Sequence, residues 1–161
     1  LAEDKAFCEE VRERYGIPAT STMLAATQAL GQFHAKRVAV ATPYQEDHNE
    51  PERAYLAEAG IEAVAIRGMG LDGGEQYSQV PPQEIYDFCL ETWDESADAL
   101  FVSCMNLDSL AVIDALEQRL GKPVVTSHSA TLWRALALAG VDDPIEGCGA
   151  LLSERRLATA G

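Results

Sequence analysis

The chain of 161 residues contains 12 Lys and Arg residues against 26 Asp and Glu residues, which gives a formal net charge of −14 at pH 7, and 47% of it is hydrophobic. This length and apolar content are enough for one domain with its own core. The negative charge argues against binding to nucleic acid or to an anionic membrane surface.

Two helices are predicted before the first strand. Apolar residues recur every four positions from Glu3 to Tyr15, and Gly16 follows as a stop signal. Ser21 or Thr22 can cap a second helix that runs to about Leu30.

Strands and helices alternate after this point. Short apolar runs predict strands over residues 37–41, 61–66, 99–102 and 123–126. Amphipathic patterns predict helices over residues 51–59, 82–96, 107–120 and 130–139. This alternation is typical of an α/β fold in which helices cover both faces of a parallel sheet.

Parallel sheets of this kind bind ligands at the carboxyl ends of their strands. The residues at the four predicted ends are Thr42-Pro43-Tyr44, Arg67-Gly68-Met69-Gly70, Ser103-Cys104-Met105-Asn106 and Thr126-Ser127-His128-Ser129.

Cys104 and Tyr44 are the candidate functional residues among them. We expect the helix that starts near Asn106 to place the positive end of its dipole beside the Cys104 sulfur, which would stabilise a thiolate. A cysteine that only fills space at the end of a buried strand is the alternative. The Tyr44 phenol could donate a hydrogen bond to a carboxylate, or merely cover the end of its strand.

The remaining cysteines and the histidines do not suggest a metal site or a disulfide framework. They are Cys8, Cys89, Cys148, His34, His48 and His128. Their spacing matches no zinc motif, and the Cys8 and Cys89 side chains are expected to pack within helices. We therefore expect free cysteines and no metal. No secretory leader or membrane span is visible in the sequence, so we also expect a cytoplasmic location.

Residues 68–73 read GMGLDG, a G-x-G-x-x-G pattern that directly follows a predicted strand. In a dinucleotide-binding fold this pattern opens a helix at once, whereas here we expect no helix before Pro82. The next strand also ends in Ser103-Cys104 instead of an acidic residue. A mobile glycine-rich loop near the site is the preferred interpretation.

The segments VAVATPYQEDHNEPERAYLAEAGIEAVAIRGMGL and ALFVSCMNLDSLAVIDALEQRLGKPVVTSHSATLWRALALAG resemble the aspartate/glutamate racemase superfamily, in its maleate isomerase and arylmalonate decarboxylase branch. The resemblance covers roughly residues 16–152. It implies an Asp/Glu racemase-like fold, in which two pseudo-symmetric α/β halves face each other across a cleft, and chemistry without a cofactor.

The resemblance also implies a division of the chain. Residues 1–36 would be the helical remainder of a first half-domain that is incomplete here, with its other part expected upstream of Leu1. Residues 37–128 would form the second half-domain, which carries the strand-end cysteine. Residues 129–161 would form a helix and a tail that return toward the first half-domain.

By the same resemblance, Cys104 is the catalytic cysteine and acts as an acid/base or a nucleophile at the carbon beside a carboxylate. Tyr44 matches a carboxylate-binding tyrosine, and the N–H groups of Met105 and Asn106 would contribute to an anion pocket. The implied partners are a small carboxylic acid substrate and further copies of the chain in a homo-oligomer.

The function predicted in this way is that of an isomerase or a decarboxylase. An amino-acid racemase and a non-catalytic carboxylate-binding module are the alternatives. Racemisation needs an acid on each face of the carbon, so the single well-placed cysteine favours the first prediction. Maleate itself is a less secure substrate, because the loop in which maleate isomerases usually carry an asparagine reads Asp72-Gly73-Gly74-Glu75.

Overall fold

The structure, a computed structural model, describes residues 1–154, and a four-stranded parallel sheet lies at the centre of this part of the chain. The strands are β1 (Arg37–Thr42), β2 (Glu62–Gly68), β3 (Ala99–Val102) and β4 (Val124–Thr126). Their order is β2-β1-β3-β4, with β1 paired to both β2 and β3. The predicted α/β fold with a parallel sheet is confirmed.

Helices connect and cover the strands. They are α1 (Ala2–Tyr15), α2 (Thr22–Gln32), α3 (Asn49–Glu58), α4 (Gly74–Gln79), α5 (Pro82–Thr92), α6 (Ile113–Leu120), α7 (Ser127–Leu138) and α8 (Ala150–Glu154). Short 3₁₀ turns span Glu46–His48 and Leu110–Val112. Ser21 caps α2 as predicted, because its Oγ accepts a hydrogen bond from the Leu24 N–H at 3.1 Å.

The two faces of the sheet have separate apolar cores. Successive side chains of a strand point to opposite faces, so Val38 and Val40 of β1 face one core while Ala39 and Ala41 face the other. The first core contains side chains of α2, α3, α7 and α8, and the fully buried Trp133 is its largest member. The second core contains side chains of α5 and α6. Helices therefore cover both faces, as predicted.

The starts of α4 and α6 differ from the sequence analysis. The six-residue α4 starts at Gly74, so the expectation that no helix precedes Pro82 is wrong. Its six residues are too short to show a helical period. The helix predicted from Leu107 begins instead at Ile113, after the 3₁₀ turn. Leu107 is 2% exposed and its carbonyl accepts a hydrogen bond from the Ser109 N–H, so burial of this side chain bends the backbone before α6.

The predicted helix over residues 82–96 is also shorter than expected. It ends at Thr92, because Trp93 has an extended backbone with φ −55° and ψ 137°. The predicted strand over residues 99–102 matches β3.

Candidate functional site

The carboxyl ends of β1, β3 and β4 bring Tyr44, Cys104 and Ser127 together, which confirms the predicted edge of the sheet. The Cys104 N–H donates a hydrogen bond of 3.0 Å to Ser127 Oγ. The Tyr44 side chain packs against the apolar cluster that contains Cys104. Parallel pairing of β1 with β3 and of β3 with β4 places these three turns side by side.

Cys104 is held in an uncommon backbone conformation. Its φ is 106°, in the left-handed region that non-glycine residues rarely adopt. Such a conformation costs on the order of 1–3 kcal/mol and persists where surrounding contacts impose it, often at functional sites. The Asn106 N–H lies 3.3 Å from Cys104 Sγ, and the side chain is 8% exposed. The thiol is thus held in a defined orientation close to the surface.

The helix dipole beside Cys104 comes from a different helix than the one predicted. Because α6 begins only at Ile113, no helix starts next to the sulfur on its own segment. Ser127, which contacts the Cys104 backbone, is the first residue of α7. Thr126 and Ser129 form a capping box at this helix end. The positive end of the α7 dipole therefore lies beside the Cys104 turn.

Tyr44 is half-buried, and its ring packs edge-on against Tyr77 with ring centroids 5.6 Å apart. Burial raises the pKa of the Tyr44 phenol well above its ordinary value, and the nearby Cys104 raises that pKa further. The phenol consequently keeps its proton near neutral pH. It can act as a hydrogen-bond donor at the strand edge.

The glycine-rich segment is attached to the Tyr44 turn by its backbone. The N–H groups of Met69, Gly70 and Leu71 donate to carbonyls of residues 42, 44 and 43 at 2.9, 3.0 and 3.0 Å. A Cβ at Gly68 would lie 2.1 Å from the Tyr44 carbonyl oxygen, so only glycine fits there. These N–H groups are already bonded and cannot hold a phosphate, which argues against a dinucleotide site. The expected loop lies beside the site, but hydrogen bonds tie it to the turn.

Met105 and Asn106 extend from the Cys104 turn toward solvent. Met105 is 43% exposed, with its Sδ 3.9 Å from Thr131 Oγ1. The Asn106 side chain reaches the start of α4, where a Cβ at Gly74 would lie 2.6 Å from its Nδ2. Their role in an anion pocket stays a prediction.

Glu52 is a residue that sequence reasoning missed. It lies on α3, is 8% exposed, and its Oε1 is buried without a hydrogen-bond partner among the described residues. Burial raises the pKa of its carboxyl to about 7, while a hydrogen bond with Ser103 opposes the rise. Asn49, Glu52 and Leu56 are the buried residues of α3. Their spacing of three and four residues is the signal that could have identified Glu52 as inward-facing.

The other cysteines differ from Cys104 in position. Cys89 is fully buried in α5, and burial raises the pKa of its thiol to about 12. Cys8 and Cys148 are partly exposed, and all four thiols are free. Within residues 1–154, no group of three His, Cys, Asp or Glu side chains could hold a metal ion. In the same range, no helix is both long enough and apolar enough to cross a bilayer.

Comparison with known proteins places the chain in a family. The family model described as arylmalonate decarboxylase matches residues 2–152. The arylmalonate decarboxylase of Bordetella bronchiseptica is 35% identical over 141 residues, which cover 86% of this chain and 59% of that protein. The maleate isomerase of Pseudomonas putida is 28% identical over 137 residues, which cover 84% and 55%.

A solved structure gives the same result. A crystal structure of arylmalonate decarboxylase superimposes with a TM-score of 0.89 at 34% identity, covering 96% of this chain and 69% of that one. The chain thus spans somewhat more than half the length of the curated relatives that it matches. The strand-end cysteine, the tyrosine beside it and the parallel sheet that positions both belong to a member of the arylmalonate decarboxylase family, within the Asp/Glu racemase-like branch that also contains the maleate isomerases.

Proposed function

We propose that this protein is a cofactor-independent, cysteine-dependent isomerase or decarboxylase that acts beside the carboxylate of a small carboxylic acid. The observation that carries the proposal is that parallel pairing of β1 with β3 places Cys104 and the half-buried Tyr44 in one cluster at the carboxyl edge of the sheet. The relatives named arylmalonate decarboxylase and maleate isomerase support the same class of reaction.

The chemistry requires a place for developing negative charge. Loss of carbon dioxide from a substituted malonate breaks a carbon–carbon bond and leaves its electron pair as an enediolate on the remaining carboxylate. A donor already aimed at that oxygen lowers the barrier, and Tyr44 is such a donor. The Cys104 thiol then gives its proton to the carbon, and the thiolate recovers a proton from solvent.

Isomerisation of a double bond uses the same two residues differently. The Cys104 thiolate adds to one alkene carbon, and the π electron pair moves onto the neighbouring carboxylate as an enediolate. The former double bond rotates as a single bond, and the returning electron pair restores the double bond and expels the thiolate. The Asn106 N–H, which lies against Sγ, stabilises the anionic sulfur. The Met105 N–H, joined by the Asn106 N–H once the sulfur is bonded to carbon, forms the proposed anion pocket around the substrate carboxylate.

Proton NMR of the full-length protein in heavy water tests the proposal. Maleate, substituted malonates and acidic amino acids are supplied in turn, with no added metal, nucleotide or pyridoxal phosphate. We expect turnover of a malonate or of maleate, whereas exchange of an amino-acid α-proton would favour the racemase alternative.

The matched control compares two cysteines. Cys104→Ser should lower turnover by at least about 1,000-fold, because an alcohol is a far weaker acid and nucleophile than a thiol. Cys148→Ser changes a partly exposed thiol outside the site and should leave turnover unchanged. A Cys104→Ser protein that stays active, or an activity abolished by a chelator, would overturn the proposal.

A further inference from the structure

A buried asparagine closes the turn that carries Tyr44. Asn49 is the first residue of α3 and is 3% exposed. Its Oδ1 accepts a hydrogen bond of 2.8 Å from Oγ1 of Thr42, the last residue of β1. This bond joins the two ends of the connection between β1 and α3. Residues 43–48 therefore form a closed turn, with Tyr44 near its start.

The other end of the Asn49 amide contacts Glu46, which lies within the same turn. Asn49 Nδ2 donates to Glu46 Oε2 at 3.1 Å, and Glu46 Oε1 accepts the Gly68 N–H at 3.1 Å. A carboxylate only accepts hydrogen bonds, so the amide must direct its nitrogen toward Glu46 and its oxygen toward Thr42. The chemistry of these two neighbours therefore determines the orientation of the Asn49 amide.

The backbone of Tyr44 is in contact with this network. A Cβ at Gly68 would lie 2.1 Å from the Tyr44 carbonyl oxygen and 3.2 Å from Asn49 Nδ2, so the three groups meet at one point. The Tyr44 carbonyl also accepts the Gly70 N–H at 3.0 Å. Gln45 Nε2 donates to the Gly70 carbonyl at 2.7 Å. Asn49 and the glycine-rich segment thus hold the Tyr44 backbone together.

A capping role in α3 does not explain the Asn49 side chain. An asparagine that caps a helix accepts an N–H of the first turn with its side-chain oxygen. In this helix the N-cap residue is His48, and its side chain forms no capping bond within the described part of the chain. The Asn49 oxygen accepts instead from Thr42. The amide therefore stabilises the turn before the helix.

The position of the Tyr44 phenol depends on the backbone of this turn. The phenolic oxygen is the side-chain atom furthest from the backbone, so a small rotation of the turn displaces it more than the other atoms of the ring. A misplacement of about 1 Å in a group that contacts the substrate can cost about 100-fold in rate. Contacts that fix the turn can therefore affect substrate binding without touching the substrate.

We propose that Asn49 is a positioning residue that holds the Tyr44 turn, through Thr42 and Glu46, in the conformation in which the phenol donates to a substrate carboxylate. The inference rests on the function proposed above, in which Tyr44 binds that carboxylate. Loss of the Asn49 contacts leaves the phenol chemically intact but lets its turn move, so substrate binding weakens.

Exchange of the donor and the acceptor tests the contact between Asn49 and Glu46. Asn49→Asp places two carboxylates that can only accept side by side, and we expect KM to rise about 5- to 20-fold. In the double variant Asn49→Asp/Glu46→Gln, the amide at position 46 donates to the carboxylate at position 49 and still accepts the Gly68 N–H. Its KM should return to within about threefold of the wild type. A double variant as impaired as Asn49→Asp would overturn the proposal.

The Tyr44→Phe background separates positioning from a merely structural role. If Asn49 acts through the Tyr44 phenol, Asn49→Asp should raise KM less than about twofold in a protein that already lacks this hydroxyl. An equal rise in both backgrounds would overturn the proposal.

A second variant covers the case in which Asn49→Asp fails to fold. Glu46→Ala changes an exposed residue and removes the acceptor of the Asn49 amide, so KM should rise about three- to tenfold in the wild type and less than about twofold in Tyr44→Phe. Asp47→Ala, at the neighbouring exposed acid, is the matched control and should leave KM unchanged. A Glu46→Ala protein with the KM of the wild type would contradict the proposal.

A measurement without substrate lets this inference and the proposed function fail separately. Fluorotyrosine replaces every tyrosine, and Tyr44→Phe identifies the ¹⁹F NMR resonance of Tyr44. Because the Tyr44 ring packs against Tyr77, we expect Asn49→Asp to shift or broaden this resonance and the double variant to restore it. That result in a protein that converts none of the tested acids would contradict the enzymatic function alone. An unchanged Tyr44 resonance in Asn49→Asp would overturn the positioning role.

Discussion

The carboxyl pKa values of two acidic residues are shifted in opposite directions at the two ends of the sheet. At the amino end, Asp98 Oδ2 accepts the N–H groups of Lys36 and Arg37, each at 2.9 Å, and these bonds lower the pKa of Asp98. At the carboxyl end, Glu52 is buried, and its carboxyl pKa is raised to about 7. The carboxylate at the amino end is therefore stabilised in its charged form, whereas burial disfavours the charged form of Glu52 at the carboxyl end.

The cysteines show the same contrast between packing and function. Cys89 lies in the interior of α5 with its thiol fully buried, as a small apolar side chain would. Cys104 sits at a strand end with φ 106° and has polar neighbours on both sides. The carboxyl end thus combines a cysteine with φ 106° and a buried carboxylate oxygen without a hydrogen-bond partner in the described part of the chain, and this is the end where ligands bind in parallel α/β proteins.

The largest expected difference is in thiol reactivity. Brief alkylation by iodoacetamide at pH 7.5 should modify Cys104 at least about 100-fold faster than Cys89, whose thiol is buried and has a raised pKa of about 12. Peptide mass spectrometry of the folded protein measures both rates, and the denatured protein is the control in which they should converge. Equal rates in the folded state would remove the distinction between the two cysteines.

Stability should respond strongly to Glu52. Its carboxyl pKa is about 7 in the folded protein against an ordinary value of 4.5, so unfolding releases a proton between these values. The wild type should lose stability as the pH rises from 4.5 to 7, by about 3 kcal/mol in total, and Glu52→Gln should not. Urea denaturation at pH 5 and pH 8 measures the difference.

The control for this effect is Glu50→Gln, which changes an exposed carboxylate of the same helix. Its free energy of unfolding should track that of the wild type at both pH values. A gap between Glu52→Gln and the wild type that is the same at pH 5 and pH 8 would contradict a raised carboxyl pKa.

Substrate binding should depend on the Tyr44 hydroxyl. Tyr44→Phe removes a hydrogen bond to a charged carboxylate, which is worth about 1.5–3 kcal/mol, so KM should rise about 10- to 100-fold. Steady-state kinetics with the substrate identified by NMR measures this change. Tyr15→Phe, at a residue 62% exposed on α1, is the matched control. An unchanged KM in Tyr44→Phe would mean that the carboxylate binds elsewhere.

The smallest effect is expected at the amino end. The pKa of Asp98 is lowered by its backbone hydrogen bonds, so its contribution to stability is present above pH 3.8 and is lost as the pH falls through the folded-state pKa. Asp98→Asn should lower Tm slightly at pH 7, and the difference should disappear in acid. Thermal melts against Asp47→Asn, which changes an exposed residue of a 3₁₀ turn, provide the comparison. A Tm difference that grows in acid would contradict the assignment.

The sequence alone determined the strands that position the site and the edge of the sheet at which it lies. Short apolar runs predicted all four strands of the described part, and β3 matches its predicted bounds. Amphipathic periods predicted the longer helices between them. Because parallel strands carry their carboxyl ends to one edge, Tyr44 and Cys104 could be placed together without coordinates. These predictions succeed because the periods of strands and helices are local properties of the chain.

Only the tertiary structure decided which helix ends and side chains surround Cys104 and Tyr44 at that edge. The sequence pattern did not show that α6 begins only at Ile113, or that the helix N-terminus beside Cys104 is that of α7. It also did not show that Glu52 meets Ser103. Each of these depends on which segments pack against one another after the chain folds. A hydrogen bond between residues far apart in sequence leaves no period in either segment, so local patterns cannot reveal it.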